Sequence, residues 1–519
     1  MTRPRDVIVI GAGHNGLVCA AYLARAGFDV LCLEAAPSAG GMAAERTLAE
    51  EYRFPGLAHA AYPADRELCR ELDLAKAGYK SGPRLKTTAL DLDGLHLSID
   101  GDDIAGDGLP REDIVAWPKF RAQYREFAAA LKPLLENRPP RLKHMDFADK
   151  KTLVKLGWKL RVGLGRDTMY EFLRVAGINI YDVLNESFED ERLKGAVALD
   201  AVLGSAMGPR APGTVLTWLK RLHGELGGGL CALGNGDAGL LPALERTARN
   251  AGAEIRLNAR VEEILVDTGV AGGVRLADGE TISSKLVVSN VDPRVTFGRL
   301  VGATRLDAMF ANRVQQVRGS GVVAKLHLAL SGTPQFSGLD ETALNDRLVV
   351  APSMRAIEQA FNHSKYGEYS TEPVLEIVLP SRHDASLAPA GHHVMSVNVA
   401  YVPYQLDGGW DGRKEALADQ LVEQIAGYCP GLGDLVVARE LLTPADIEKE
   451  YGVVHGHWHH GEQTLHQSFM MRPVHGAAQY DTPVDGLYLC GAGCHPGGGV
   501  TALPGRNAAK RILEREAAR

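Results

Sequence analysis

Residues 6–34 read DVIVIGAGHNGLVCAAYLARAGFDVLCLE. The apolar run Val7 to Ile10 has the length of a buried parallel strand. Gly11, Gly13 and Gly16 follow at once in the spacing G-x-G-x-x-G. The three glycines differ in what they allow. The first permits a tight turn, the second lets a pyrophosphate approach the backbone, and the third lets a helix pack closely on the strand. The helix expected from about Leu17 to Arg25 aims its free N–H groups at the phosphates. Gly27 ends it, and Asp29 to Leu33 form the next strand. Glu34 stands 18 residues past Gly16, where a carboxylate can accept hydrogen bonds from ribose hydroxyls. The glycine spacing alone is weak in 519 residues, but strand, glycines, helix, strand and acid in register are specific.

Pro37-Ser38-Ala39-Gly40-Gly41 comes directly after the acid. A glycine pair here suits backbone packed against a second stretch of extended cofactor. An NAD domain does not need it and long FAD sites commonly show it, so FAD is the expected cofactor. Ala35, Gly40, Gly41 and Met42 join Gly11, Gly13, Asn15, Gly16 and Glu34 as candidate contacts.

A length of 519 residues suits two to four domains with a large core. Charged residues make up 23% and the net charge is −7, a balance that calls for no nucleic acid. No apolar run reaches about 18 residues, which argues against a membrane span. Met1 to Arg5 leads directly into the first strand without an apolar leader, so a cytoplasmic protein is expected. The seven cysteines are odd in number and scattered, the pattern of reduced thiols.

Along the chain, Tyr52 to His59 is Gly/Pro-punctuated and reads as a loop beside the cofactor, and Arg66 to Ala77 as a helix. Leu90 to Asp113 reads as a solvated loop or hairpin, without the glutamate that a calcium loop requires. Lys119 to Glu136, Lys150 to Leu173, Glu186 to Leu203 and Lys414 to Tyr428 read as helices. Within 150–166, lysines and arginines alternate with Leu153, Val154, Trp158 and Val162. This suits either a basic helix lying on an anionic bilayer or an ordinary surface helix with a solvated face. Gly234 to Gly239 repeats the glycine spacing, but no buried strand precedes it, so a helix start in a glycine-rich turn is expected. Ala253 to Asn290 reads as a set of strands with a hairpin at Asp278-Gly279. Val322 to Leu330, Val374 to Pro380 and His393 to Val402 alternate polar and apolar residues, suggesting a separate, largely antiparallel sheet with one face covered. Val484 to Leu489 is one more strand, entering a glycine-rich turn and a final helix.

Together these stretches resemble the phytoene and carotenoid dehydrogenase-like family of FAD-dependent oxidoreductases, within the amine-oxidase-like flavoproteins. The resemblance covers nearly the whole chain. VIVIGAGHNGLVCAAYLARAGFDVLCLE matches the FAD-binding opening, GAEIRLNARVEEI the strand at the adenine end, and VVSNVDP (Val287 to Pro293) a strand-end motif. DGLYLCGAGCHPGGGVTALPGRNAA looks like the C-terminal flavin motif. The resemblance implies contacts from Val261, Asn290, Gly491, Gly493, Val500 and Thr501. The branch it looks most like is the pyridine nucleotide-disulphide oxidoreductase domain-containing type 2 proteins, to which flavin-dependent carotenoid ketolases are similar. Departures lie before the flavin motif: His457 and His466 replace the branch's usual Asn and Asp. Cys494 stands where Thr is usual, and Met42 where the amine oxidases have Arg.

The resemblance implies an α/β fold. A Rossmann-type FAD-binding domain is built from residues 1–65, 225–300 and 450–519. An α+β substrate domain with a largely antiparallel sheet takes 66–224 and 301–449. It implies dehydrogenation or desaturation of a hydrophobic small molecule, isoprenoids among them, by hydride transfer to flavin N5. No cysteine lies between Gly40 and Arg66 to form a redox pair, and a second nucleotide fold is lacking. Electrons are therefore expected to pass to oxygen or a quinone. A ketolase or isomerase using the same site, or a flavoprotein kept mainly for interaction, are the competing readings. For a base, His455-Gly-His457-Trp-His459-His460 is the richest stretch. On a strand 455, 457 and 459 would share a face, with no carboxylate or cysteine nearby to complete a metal set. His460 fits the branch pattern and is the first candidate for a pocket role, and His59 the second.

Overall fold

The computed structural model describes residues 4–233 and 236–518. The opening run forms the strand Arg5–Ile10 inside a seven-stranded sheet. On one side it pairs in parallel with Val30–Leu33, which pairs in turn with Glu254–Arg256. On the other it pairs in parallel with Thr281–Ser289. The far edge of that long strand takes Val270–Leu276 antiparallel near its start and Leu487–Leu489 parallel near its end. Strand order therefore runs outward in both directions from Arg5–Ile10, and the carboxyl ends flanking it open the crevice where such sheets bind ligands. Val7 to Ile10 and Val30 to Leu33 are buried, as a sheet covered on both faces requires. The helix His14–Arg25 starts directly after Gly13, three residues earlier than expected.

The second sheet has eight strands in the order Val436–Leu442, Val323–Leu330, His393–Ala400, Val374–Val378, Arg347–Val350, Thr87–Ala89, Leu97–Asp100, Asp103–Gly106. Its neighbours are antiparallel except Arg347–Val350 beside Thr87–Ala89, so the expected largely antiparallel sheet is present. The expectation of one covered face is corrected: Val323–Leu330 and Val374–Val378 are buried throughout and His393–Ala400 nearly so. One face sends Leu326, Leu328, Ile377 and Val397 against Leu417, Leu421 and Ile425 of the helix Arg413–Tyr428. The other face carries polar side chains and is also closed in.

Helices between residues 111 and 225 gather around Trp117, Phe120, Tyr124, Phe127 and Trp218. Several differ from the sequence reading. The helix Arg111–Leu135 begins earlier than Lys119, where the carboxylate of Asp113 accepts the N–H groups of Glu189 and Asp190. Lys150 to Leu173 is no single helix. Phe147–Trp158 passes into a wider turn at Lys159–Gly163 and restarts as Arg166–Val175 after Gly165, whose φ is +76°. Glu186 to Leu203 holds one helix, Glu191–Val202, which starts later than expected where Asp190 caps it, and a separate short helix, Ile180–Asn185, ends before the stretch begins. Arg66–Glu71 stops short of Ala77, with Asp73 left-handed at φ +52°. Tyr52 to His59 is not all loop, since Tyr52–Phe54 pairs with Arg46–Leu48. Among the described residues no helix is long and apolar enough to cross a membrane.

Candidate active site

A cavity of about 900 Å³ opens at the carboxyl ends of the first sheet and runs to the polar face of the second. Its first wall is the glycine turn. Gly11 takes φ +96°, and the carbonyl it carries accepts from Asn290 Nδ2 at 3.2 Å. A Cβ on Gly13 would lie 3.0 Å from that same amide nitrogen, and one on Gly16 only 2.0 Å from the Gly11 carbonyl oxygen. Asn290 thus lies beneath the glycines, and Gly16 lets the helix seat on the strand.

The helix His14–Arg25 has no side-chain cap at Gly13 and no acid in its first turn, so its leading N–H groups are open to an anion. Asn15 Oδ1 is buried there without a hydrogen-bond partner among the described residues. Glu34 is anchored by its own surroundings, Oε2 accepting from Ala12 N at 2.7 Å and Oε1 from Ala36 N at 2.9 Å. The glycine pair folds back onto this turn: Gly40 N donates to Ala12 O at 2.9 Å, and a Cβ on Gly41 would stand 3.2 Å from the Gly13 Cα.

Gly11, Gly13, Asn15, Glu34, Ala35, Gly40, Gly41, Met42, Val261, Asn290, Val500 and Thr501 all line the cavity, as do His59 and His460. Gly16, Gly491 and Gly493 do not. The latter two pack behind the wall, where a Cβ would meet the Asn290 carbonyl oxygen at 2.5 Å and Pro293 at 2.4 Å. Val500 and Ala502 are left-handed, at φ +57° and +60°, and the helix Leu503–Ala517 follows without a side-chain cap. Of the second glycine repeat, Gly234 and Asn235 fall outside the described residues, while the helix Leu240–Asn250 begins directly after Gly239.

The far end of the cavity holds a group that sequence reading missed. Strand register places Lys325 beside Asn398 and Asn398 beside Glu376, one polar row across three strands. Lys325 Nζ donates to Asn398 Oδ1 and to His59 Nδ1, both at 2.9 Å. His59 Nε2 donates to Glu376 Oε2 at 3.1 Å, which fixes the neutral ring's tautomer. Arg347 bonds the other oxygen of Glu376 and reaches Asp200 at 2.7 Å. Burial, then the neighbouring Lys325 charge, lowers His59 to about 4, and burial lowers Lys325 to about 7. Burial alone would raise Glu376, but Arg347 and then His59 hold it well below the usual carboxylate range. The signal for this group was the alternation itself: the polar positions of these strands face an enclosed site, not solvent.

The histidine stretch is a compact turn, not a strand, so the expectation that 455, 457 and 459 share a face is corrected. His455 is exposed at φ +55°, whereas His457 is buried 3.3 Å from Glu462. No group of three or more metal-ligating side chains occurs among the described residues. His460 is buried on the cavity wall with Nδ1 unpartnered among the described residues, and burial lowers it to about 4 against the opposing pull of Asp292.

A glycine turn at the switch point of a parallel sheet, an uncapped helix aimed into a long cavity and a second sheet at its far end define a dinucleotide-dependent enzyme. Residues 16–513 match the family described as flavin containing amine oxidoreductase, and the chain belongs to that family. Pyridine nucleotide-disulfide oxidoreductase domain-containing protein 2 of Mus musculus is 33% identical over 546 residues, covering 98% of this chain and 93% of that one. A phytoene desaturase (lycopene-forming) of Pseudescherichia vulneris is 27% identical, with 96% of each covered. Among solved structures, putrescine oxidase bound to putrescine shares the fold at TM-score 0.61 and 16% identity, with 100% of each chain covered. The resemblance seen in the sequence is thus sound. The chain is a flavin oxidoreductase with FAD as its cofactor, a small-molecule substrate and an electron acceptor.

Proposed function

We propose that this chain is an FAD-dependent dehydrogenase or desaturase of hydrophobic, isoprenoid-class substrates, reoxidised by oxygen or a quinone. The observation that carries the reading is the single cavity joining the glycine turn to the second sheet. Residues 1–65, 225–300 and 450–519 form the cofactor unit, and 66–224 with 301–449 the substrate unit. The fit to FAD rests on the uncapped helix start, whose N–H groups suit the pyrophosphate, and on the buried Asn15 Oδ1, an acceptor without a partner among the described residues that suits a cofactor hydroxyl. Gly11, Gly13 and Asn15 would hold the pyrophosphate, Glu34 and Ala35 the ribose, and Val261 the adenine end. Gly40, Gly41 and Met42 would lie along the middle, and Val500 and Thr501 at the flavin ring. Gly16, Gly491 and Gly493 shape that wall from behind, with Asn290 between them.

FAD, when bound, supplies the hydride-accepting chemistry. The chain's own groups orient the substrate and handle its proton. The start of the helix Leu503–Ala517 favours negative charge beside Val500 and Thr501. His460, held neutral at pH 7 by burial and with Nδ1 unpartnered among the described residues, would accept the proton. His59, held at both nitrogens by Lys325 and Glu376, keeps that end of the cavity in shape. The protein is cytoplasmic in this reading. Segment 150–166, with Val154 and Trp158 70% and 65% exposed among lysines, meets an anionic bilayer from which such substrates are drawn.

The test is anaerobic mixing of FAD-loaded protein with phytoene in detergent micelles. Loss of the oxidised-flavin absorbance is expected. Ketone formation confined to aerobic samples would move the assignment to a ketolase, and protein that takes up no FAD would end it.

A further inference from the structure

The helix Thr214–Glu225 sets Thr217, Lys220, Arg221 and Gly224 along the cavity, a spacing that keeps them on one face. Arg221 is compensated by Asp200 at 3.1 Å. Lys220 is not. Among the described residues its ammonium meets the Ser468 hydroxyl at 2.8 Å, the Gln463 carbonyl at 3.4 Å and the Phe469 ring at 5.6 Å from its centre, none of them an anion. Burial, then the like charge of Arg472, lowers it to about 7, and among the described residues no carboxylate pairs with it to restore the charged form. One turn along, Tyr62 packs on Gly224, where a Cβ would meet its ring at 2.4 Å. The Tyr62 hydroxyl is buried without a hydrogen-bond partner among the described residues and lines the same cavity. A cation and a donor left unsatisfied in a desolvated space both cost free energy that an incoming anion relieves. Farther along the cavity Glu376 and Asp200 are balanced by Arg347 and Arg221.

We propose that the cavity takes amphipathic substrates bearing a carboxylate, with the acid group paired to Lys220 and bonded by the Tyr62 hydroxyl. The apolar remainder then lies toward the cofactor. This rests on the function proposed above, which makes the cavity the site of a hydrophobic substrate beside FAD, and it ranks hydrocarbons such as phytoene, though still substrates, below acids of like shape in affinity.

The probes are dodecanoate and dodecanol, equal in chain length, titrated into FAD-loaded protein and followed by flavin difference absorbance. Wild type is expected to bind dodecanoate at least about tenfold more tightly. Lys220→Met should remove that preference and leave dodecanol binding as it was. Lys220→Arg should keep most of it, and Tyr62→Phe should reduce it with FAD still bound. Equal affinity of wild type for the two probes overturns the proposal, whatever the variants do. So does a Lys220→Met protein that keeps the preference, or one that sheds FAD, which would assign the lysine to the cofactor. If neither probe perturbs the flavin, the hydrophobic-substrate reading itself falls and this proposal with it.

Discussion

Arg472 donates to the main-chain carbonyl of His459 across 2.6 Å, and the same guanidinium reaches the carbonyls of Glu462 at 2.7 Å and Ala492 at 2.9 Å. A fully buried cation thereby ties the turn bearing His459 and His460 to the chain just after the strand Leu487–Leu489. Arg472→Met leaves several carbonyls unsatisfied, and a loss of about 3–5 kcal/mol in urea unfolding is expected. Arg472→Lys should recover only part, because an ammonium cannot span the same fork. An unchanged midpoint for the methionine variant would refute this role.

Gly16→Ala places a methyl 2.0 Å from the Gly11 carbonyl oxygen, a backbone atom that cannot step aside. The helix must lift from the strand and carry its uncapped leading N–H groups with it. The expected product is poorly soluble or purifies without FAD, whereas Gly272→Ala, with open space around it and no left-handed backbone, should remain folded and yellow. Absorbance spectra of the two proteins decide the matter.

Glu34 spends one oxygen on Ala12 N and the other on Ala36 N, so the lone pairs left for the ribose contact proposed above are already aimed. Glu34→Gln turns one acceptor into a donor facing an N–H group. FAD affinity should fall by about tenfold or more, with the fold preserved, as read by cofactor titration of apoprotein.

Lys325 has its pKa lowered from 10.5 to about 7 by burial. Between those values the unfolded chain holds a proton that the folded chain has released, so this group makes stability rise with pH. Its destabilising effect is fully present below about pH 7 and fades as pH climbs toward that of a free lysine. The stability of wild type relative to Lys325→Met should therefore improve by roughly 2–3 kcal/mol from pH 6.5 to 9. A difference that stays flat over that range would show the lysine to be solvated.

Period and punctuation made most of the first sheet legible. Val7 to Ile10, the three glycines and Val30 to Leu33 are local signals whose meaning needs no distant partner. Helix limits around 66–77, 150–173 and 186–203 were less legible. They depend on where Gly165, Asp73 and Asp190 turn the chain, and an apolar count does not weigh such positions. The polar row of Lys325, Glu376 and Asn398 was visible as alternation but misassigned to a solvent face. What covers it includes His59, hundreds of residues away, and only the pairing of strands shows that. The histidine turn shows the same limit. Alternate residues share a face only on a strand, and His455 and His460, at φ +55° and +56°, do not belong to one.

The helix Leu503–Ala517 packs so closely on His14–Arg25 that a Cβ on Gly505 would stand 2.2 Å from the Asn15 carbonyl oxygen. The two walls of the cavity are thus made at opposite times in synthesis. While the nascent chain is still emerging, the phosphate-facing turn waits without its counterpart, and no partial product short of residue 500 owns a closed chamber. A closed chamber for FAD therefore needs the segment around residue 500 as much as the opening turn.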